Sequence, residues 1–162
     1  MASGVKVCDH VKELYDAMKV VKNDADQKER IRLVVFEICN GEIAAAPGKT
    51  FREKDLEGKD VYEVFVQQMD PKKPCYMLYD CHFETKECCK KEELVFVMWA
   101  PDTASIKEKM QYASSKDCLK KILTGIKHEL QLNDNADSHD KCGFLEKIGK
   151  GAHVINLEGH SV

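Results

Sequence analysis

The run Leu94-Val95-Phe96-Val97-Met98-Trp99-Ala100 is apolar without a break, and Pro101 closes it. It is far shorter than the roughly 20 apolar residues that a membrane-spanning helix needs. A short unbroken apolar run with a proline stop predicts a strand buried on both faces. Such a strand needs a layer on each side of its sheet, which restricts the chain to a few architectures. Ile31 to Cys39 has the same character, rich in β-branched and apolar residues. Cys75 to Phe83 divides by alternation, with Tyr76, Leu78 and Asp80 on one face and Met77, Tyr79 and Cys81 on the other. The expectation is an α/β fold: a central mixed sheet flanked by helices on both faces.

The other segments supply those helices. Asp9 is placed to cap a first helix carrying Val11, Leu14, Tyr15 and Met18 at helical spacing. Asn40-Gly41 is a hairpin turn signal, with Glu42 to Ala46 as the return strand. Residues 47–58 read as a loop, and Val61, Val64, Phe65 and Met69 suggest a second helix. Glu84 to Glu92 reads as a charged loop or hairpin connection. Residues 103–125 form a long helical region in which Ser114-Ser115 predicts a kink or break, and Gly125 a stop. Ile126, His128, Leu130 and Leu132 alternate with Lys127, Glu129 and Gln131, as a half-buried strand would. Phe144, Leu145 and Ile148 mark a last short helix, and Val154 to Leu157 a final strand. With no repeat and no linker, residues 1–162 are expected to form one domain whose first eight residues are flexible.

Function is constrained first by what is missing. A formal net charge of −3 and a pI of about 6.1 argue against a general nucleic-acid binder. The N-terminus lacks the pattern of a signal peptide, so a reducing compartment is expected and the eight cysteines are read as free thiols. Cys81, His82, Cys88 and Cys89 lie close in sequence, but their spacing matches no common zinc pattern, so no metal is expected. No phosphate loop, nucleophile elbow or metal-protease motif occurs, so neither an enzyme nor a cofactor is indicated. A thiol-based redox or metal-binding protein remains an alternative on cysteine count alone. Within the long helix, Lys107, Met110, Ser114, Asp117 and Lys121 follow one another by three or four residues and share a face. Leu119, Ile122, Leu123 and Ile126 occupy another, which should be core. Spacing leaves open whether the first stripe is a solvated face or a docking face.

Several stretches resemble the ADF/cofilin family, and the match is to a divergent vertebrate-type member. They are Met1-Ala2-Ser3-Gly4-Val5, Met18-Lys19-Val20, Leu78-Tyr79-Asp80, Glu84-Thr85-Lys86-Glu87 and Trp99-Ala100-Pro101. The longest are Tyr112-Ala113-Ser114-Ser115-Lys116-Asp117 and Leu123 to Gln131. The resemblance implies a single ADF-homology domain that is not an enzyme. It would bind actin monomers and filaments, depolymerise and sever filaments, and act as a monomer in the cytoplasm and cytoskeleton. Alternatives within this reading are a monomer-sequestering protein that does not sever and a phosphoinositide-responsive adaptor.

The resemblance also assigns residues. Ser3, Gly4, Lys107, Lys109, Met110, Ser114 and Lys121 would contact actin, a methionine knob among lysines suiting an acidic protein surface. Lys90, Lys91 and Glu158 would contact a second subunit in a filament. Lys116, Lys120, Lys121 and Lys127 would bind phosphoinositide head groups. A kinase and a phosphatase would act on Ser3, where phosphate adds negative charge beside the actin-facing lysines. His128 would pair with Glu93 as a pH sensor. Family members carry a basic nuclear-import run before the first long strand. Here Gln27-Lys28-Glu29-Arg30-Ile31-Arg32 interrupts it, so autonomous nuclear entry is not expected.

Overall fold

The computed structural model describes residues 6–19, 30–87, 90–124, 126, 128–133, 141–149 and 154–161. Its frame is a mixed sheet of eight strands. These are β1 (Lys6–Val7), β2 (Ile31–Cys39), β3 (Glu42–Arg52), β4 (Cys75–Thr85), β5 (Lys90–Trp99), β6 (His128–Leu132), β7 (Val154–Leu157) and β8 (His160–Ser161). The order is β1-β3-β2-β4-β5-β6, with β7 pairing the far end of β4 and β8 pairing β7. The β1–β3 and β5–β6 pairs are parallel and the rest antiparallel.

Alternation along β4 splits the core as the sequence pattern predicts. Met77, Tyr79 and Cys81 face one cluster with Val97, Trp99 and Phe144. Tyr76 and Leu78 face the other with Phe96, Met98 and Leu119. Among the described residues, four α-helices cover the two faces. On the first lie α2 (Val61–Gln67) and α4 (Lys141–Gly149), through Phe65, Phe144 and Ile148. On the second lie α1 (Asp9–Lys19) and α3 (Ile106–Lys120), through Val11, Tyr15, Met18, Tyr112 and Leu119.

Four expectations need correction. First, β3 does not stop at Ala46 but runs to Arg52. Val34 pairs with Thr50 while Phe36 pairs with Ala45, so β3 bulges around Pro47-Gly48 and then resumes. Proline cannot donate to a ladder, and Gly48 supplies the positive φ of 72° that the bulge needs. Second, most of the charged stretch 84–92 is strand: β4 extends to Thr85 and β5 begins at Lys90. Third, α3 runs through Ser114-Ser115 without a break. Ser114 Oγ donates back to the Gln111 carbonyl at 3.1 Å, and Ser115 is fully buried where a small side chain fits. Fourth, Lys6 and Val7, within the segment expected to be flexible, form a strand that pairs with Glu42 and Ile43. His10 strengthens this junction: its Nε2 accepts from the Ala45 N–H at 3.2 Å, so its Nδ1 carries the proton and faces Cys8 Sγ at 2.9 Å.

Candidate functional site

The apolar part of the site is the start of α3. Pro101 closes β5, and Ser105 caps the helix by accepting from the Glu108 N–H at 3.2 Å. Tyr112, Ser115 and Leu119 anchor the helix on its inner side. Tyr112 is tied twice: its hydroxyl accepts from the Ile38 N–H at 2.9 Å, and its carbonyl accepts from the Tyr76 hydroxyl. Burial pushes the Tyr112 hydroxyl up to about 12. With those residues inward, Ile106 and Met110 point outward at 72% and 66% exposure. They stand one turn apart on the same face. Lys107 is exposed beside them, and Lys109 is half-buried with its Nζ 3.4 Å from the Asp102 carbonyl. A shallow groove of about 360 Å³ runs along this face between Met98, Ala100, Ile106, Met110, Ala113 and Asn133. Ser114 and Lys121 continue the exposed stripe. Met110 is therefore not core, which a solvated face and a docking face share. Ile106 escaped the sequence reading, although its four-residue offset from Met110 was the available signal. Ser3, Gly4 and Lys127 lie outside the described residues.

The second region is the far end of β4. Lys90 and Lys91 are exposed on β5, opposite Glu84 and Phe83. A cleft of about 330 Å³ separates them from Asn156 and Gly159, with His82 and Glu92 in its lining. Glu158 was expected to face a partner here, and its side chain does the opposite. It is 4% exposed, because Arg32 Nη2 donates to both its oxygens at 2.5 and 2.7 Å. The Tyr79 hydroxyl and the His82 N–H also donate to Glu158 Oε1, at 2.8 and 2.9 Å. Arg32 is itself 2% exposed and reaches Glu53 at 2.8 Å. Burial alone would lower its pKa, but the Glu158 and Glu53 carboxylates outweigh that and raise it. Arg30 bridges Asp80 at 2.9 Å and Glu92 at 2.6 Å. Both arginines of the interrupted basic run are thus spent inside the fold.

The lysines expected to meet phosphoinositides are not equally available. Lys116 and Lys120 both close on Glu129, at 2.6 and 3.0 Å. Their hydrogen bonds hold the Glu129 carboxyl below its usual range, Lys116 contributing most. Lys121 is exposed. The expected His128–Glu93 pair forms, Nε2 to Oε1 at 3.0 Å, with the His128 side chain 3% exposed. Its Nδ1 is buried and meets no hydrogen-bond partner among the described residues. Of the cysteines, Cys75 and Cys81 are buried and Cys39 and Cys142 exposed. No cluster able to hold a metal occurs among the described residues.

An apolar helix face at one end of β5 and a cleft rimmed by Lys90 and Lys91 at the other are surfaces of the kind that bind another protein. Residues 5–148 match the cofilin/tropomyosin-type actin-binding proteins, and the chain belongs to that family. The cofilin of Streptomyces griseoflavus is 32% identical, covering 90% of this chain and 99% of its own, with a TM-score of 0.72. The ADF-like UNC-60A protein of Caenorhabditis elegans is 25% identical over 93% and 97%, at 0.70. Actin depolymerization factor 2 of Plasmodium berghei is 22% identical over 92% and 99%, at 0.74, which shows the shared fold. The fold is therefore the single ADF/cofilin domain, and the family's partner is actin. No helix among the described residues is long and apolar enough to cross a membrane.

Proposed function

We propose that this protein binds actin monomers and filaments, and depolymerises and severs filaments, without being an enzyme. The reading rests on one observation, the exposed Ile106–Met110 pair on a firmly anchored helix beside Lys107 and Lys109. Unpaid apolar exposure on a rigid element suits a partner's hydrophobic groove, and the lysines speed encounter with an acidic surface. Ser3, Gly4, Ser114 and Lys121 extend this contact. Lys90 and Lys91 engage the neighbouring subunit of a filament. Tighter binding to a twisted filament state shifts the filament toward it, and boundaries with untwisted segments then break.

Regulation follows the same surface. Phosphate on Ser3 repels actin and is set by a kinase and a phosphatase. Phosphoinositide head groups compete at Lys121 and Lys127, and at Lys116 and Lys120 once these leave Glu129. Protonation of His128 beside Glu93 tunes severing with pH. The protein works in the cytoplasm and cytoskeleton. A monomer-sequestering protein is the second reading, favoured by the inward carboxylate of Glu158, which removes one expected filament contact.

Met110→Ala should weaken actin-monomer affinity about tenfold. Lys90→Glu with Lys91→Glu should weaken filament co-sedimentation while sparing monomer binding. Unchanged monomer affinity in Met110→Ala refutes the docking mode. Equal losses in both assays for the lysine variant refute the division of labour.

A further inference from the structure

The cleft beside Lys90 and Lys91 has three walls, and one residue fixes how they meet. Residues 82–84 of β4 lie between two partners, with His82, Phe83 and Glu84 pairing Glu92, Lys91 and Lys90 of β5 on one side. On the other side Phe83 and Glu84 pair Leu157 and Asn156 of β7. Just past β7 the chain turns back at Glu158 and Gly159, with φ of 53° and 83°. A left-handed glutamate is uncommon, so something must hold it there. Its backbone N–H donates to the His82 carbonyl at 2.8 Å, while its carboxylate accepts from the His82 N–H at 2.9 Å. Glu158 therefore grips the two sides of one residue that lines the cleft.

That grip depends on charge brought from far away. Arg32 lies 126 residues from Glu158 in sequence and donates to both its oxygens. Arg32 Nε and Nη2 also donate to the Asp80 carbonyl, at 3.2 and 3.1 Å, two residues before His82. The guanidinium fork thus joins β2, β4 and the β7–β8 turn in one geometry that a lysine has too few donors to copy. A pair buried this deeply is a poor source of net stability but a strong determinant of arrangement.

We propose that Arg32 and Glu158 are positioning residues for filament binding: they preset the distance between the Lys90–Lys91 rim and the β7–β8 turn, so that the cleft meets a second actin subunit ready-formed. This rests on the filament reading above. Glu158 contributes without touching actin.

The test uses the full chain with Glu158→Ala and Glu158→Gln. Three quantities are measured: affinity for ADP-actin monomers, co-sedimentation with ADP-actin filaments, and hydrogen exchange at the His82 amide. Glu158→Ala should weaken filament binding about tenfold with monomer affinity kept within about twofold, and should speed exchange at His82. Glu158→Gln keeps an acceptor for Tyr79 and His82 and should fall between it and the unaltered chain. Should Glu158→Ala not fold, Glu158→Gln decides alone, by a selective filament loss or its absence. Equal losses for monomer and filament would mean a structural role only and overturn the proposal. Faster exchange at His82 with filament binding intact would also overturn it. An unaltered chain that binds monomers but not filaments overturns the filament reading itself and takes the positioning role with it.

Discussion

Along the first two turns of α3, apolar side chains stand in solvent; at the far end of β4, charged side chains are sealed from it. Ile106 and Met110 are 72% and 66% exposed. Arg32, Asp80 and Glu158 are 2%, 3% and 4% exposed at their side chains. Each region inverts the usual placement of its residue types, and the two inversions have different consequences. The helix is held by Tyr112, Ser115 and Leu119 on its other side, so its exposed pair is not needed for folding. The buried charges are not optional in that sense. Each has lost water and depends on its partners, so removing one leaves the other stranded.

The largest expected effect breaks that second region. Arg32→Met leaves the Glu158 carboxylate buried without its guanidinium and should cost about 3–5 kcal/mol in urea unfolding. Ile106→Ser with Met110→Ser should stay within about 0.5 kcal/mol of the unaltered chain while losing actin-monomer affinity. The comparison fails if Arg32→Met unfolds at the same urea concentration as the unaltered chain. It fails equally if the serine pair destabilises as much as Arg32→Met does.

The same contrast explains what could be read from the chain. The split of β4 into Tyr76–Leu78 and Met77–Tyr79–Cys81 faces is local, fixed by period two, and holds in the structure. The α3 stripe is also local, since residues three and four apart share a face whatever surrounds them. Its direction is not: only Tyr112 and Leu119 meeting the sheet decides that Met110 faces out. The β3 bulge was missed because Pro47-Gly48 ordinarily ends a strand, and only pairing with β2 on both sides carries it through. The inward turn of Glu158 was illegible for a stronger reason. Its partner is Arg32, and nothing near either residue marks the pair. Arg32 was read only as part of the interrupted basic stretch Gln27 to Arg32. The pairing of His128 with Glu93 was reached through family resemblance, since 35 residues separate them.

A smaller effect sharpens the comparison where charges are paired but wet. Glu129 holds Lys116 and Lys120 on a partly exposed strand, with its side chain 34% exposed. A paired surface charge of this kind contributes little to stability, because water screens it. The hydrogen bonds from Lys116 and then Lys120 lower the Glu129 carboxyl from its usual value. A carboxyl lowered by folding adds stability above its unfolded pKa and loses it as pH falls through the folded one. Glu129→Gln should therefore melt slightly earlier than the unaltered chain at neutral pH, with the gap closing in acid. The same substitution releases two ammonium groups, both of which an anionic membrane attracts. Binding to phosphoinositide-containing vesicles should rise in Glu129→Gln as neutral-pH stability falls. An unchanged vesicle affinity would mean that the Glu129 pairing does not hold these two lysines back from lipid. The partly exposed pair would then differ from the buried Arg32–Glu158 pair in availability as well as in energy.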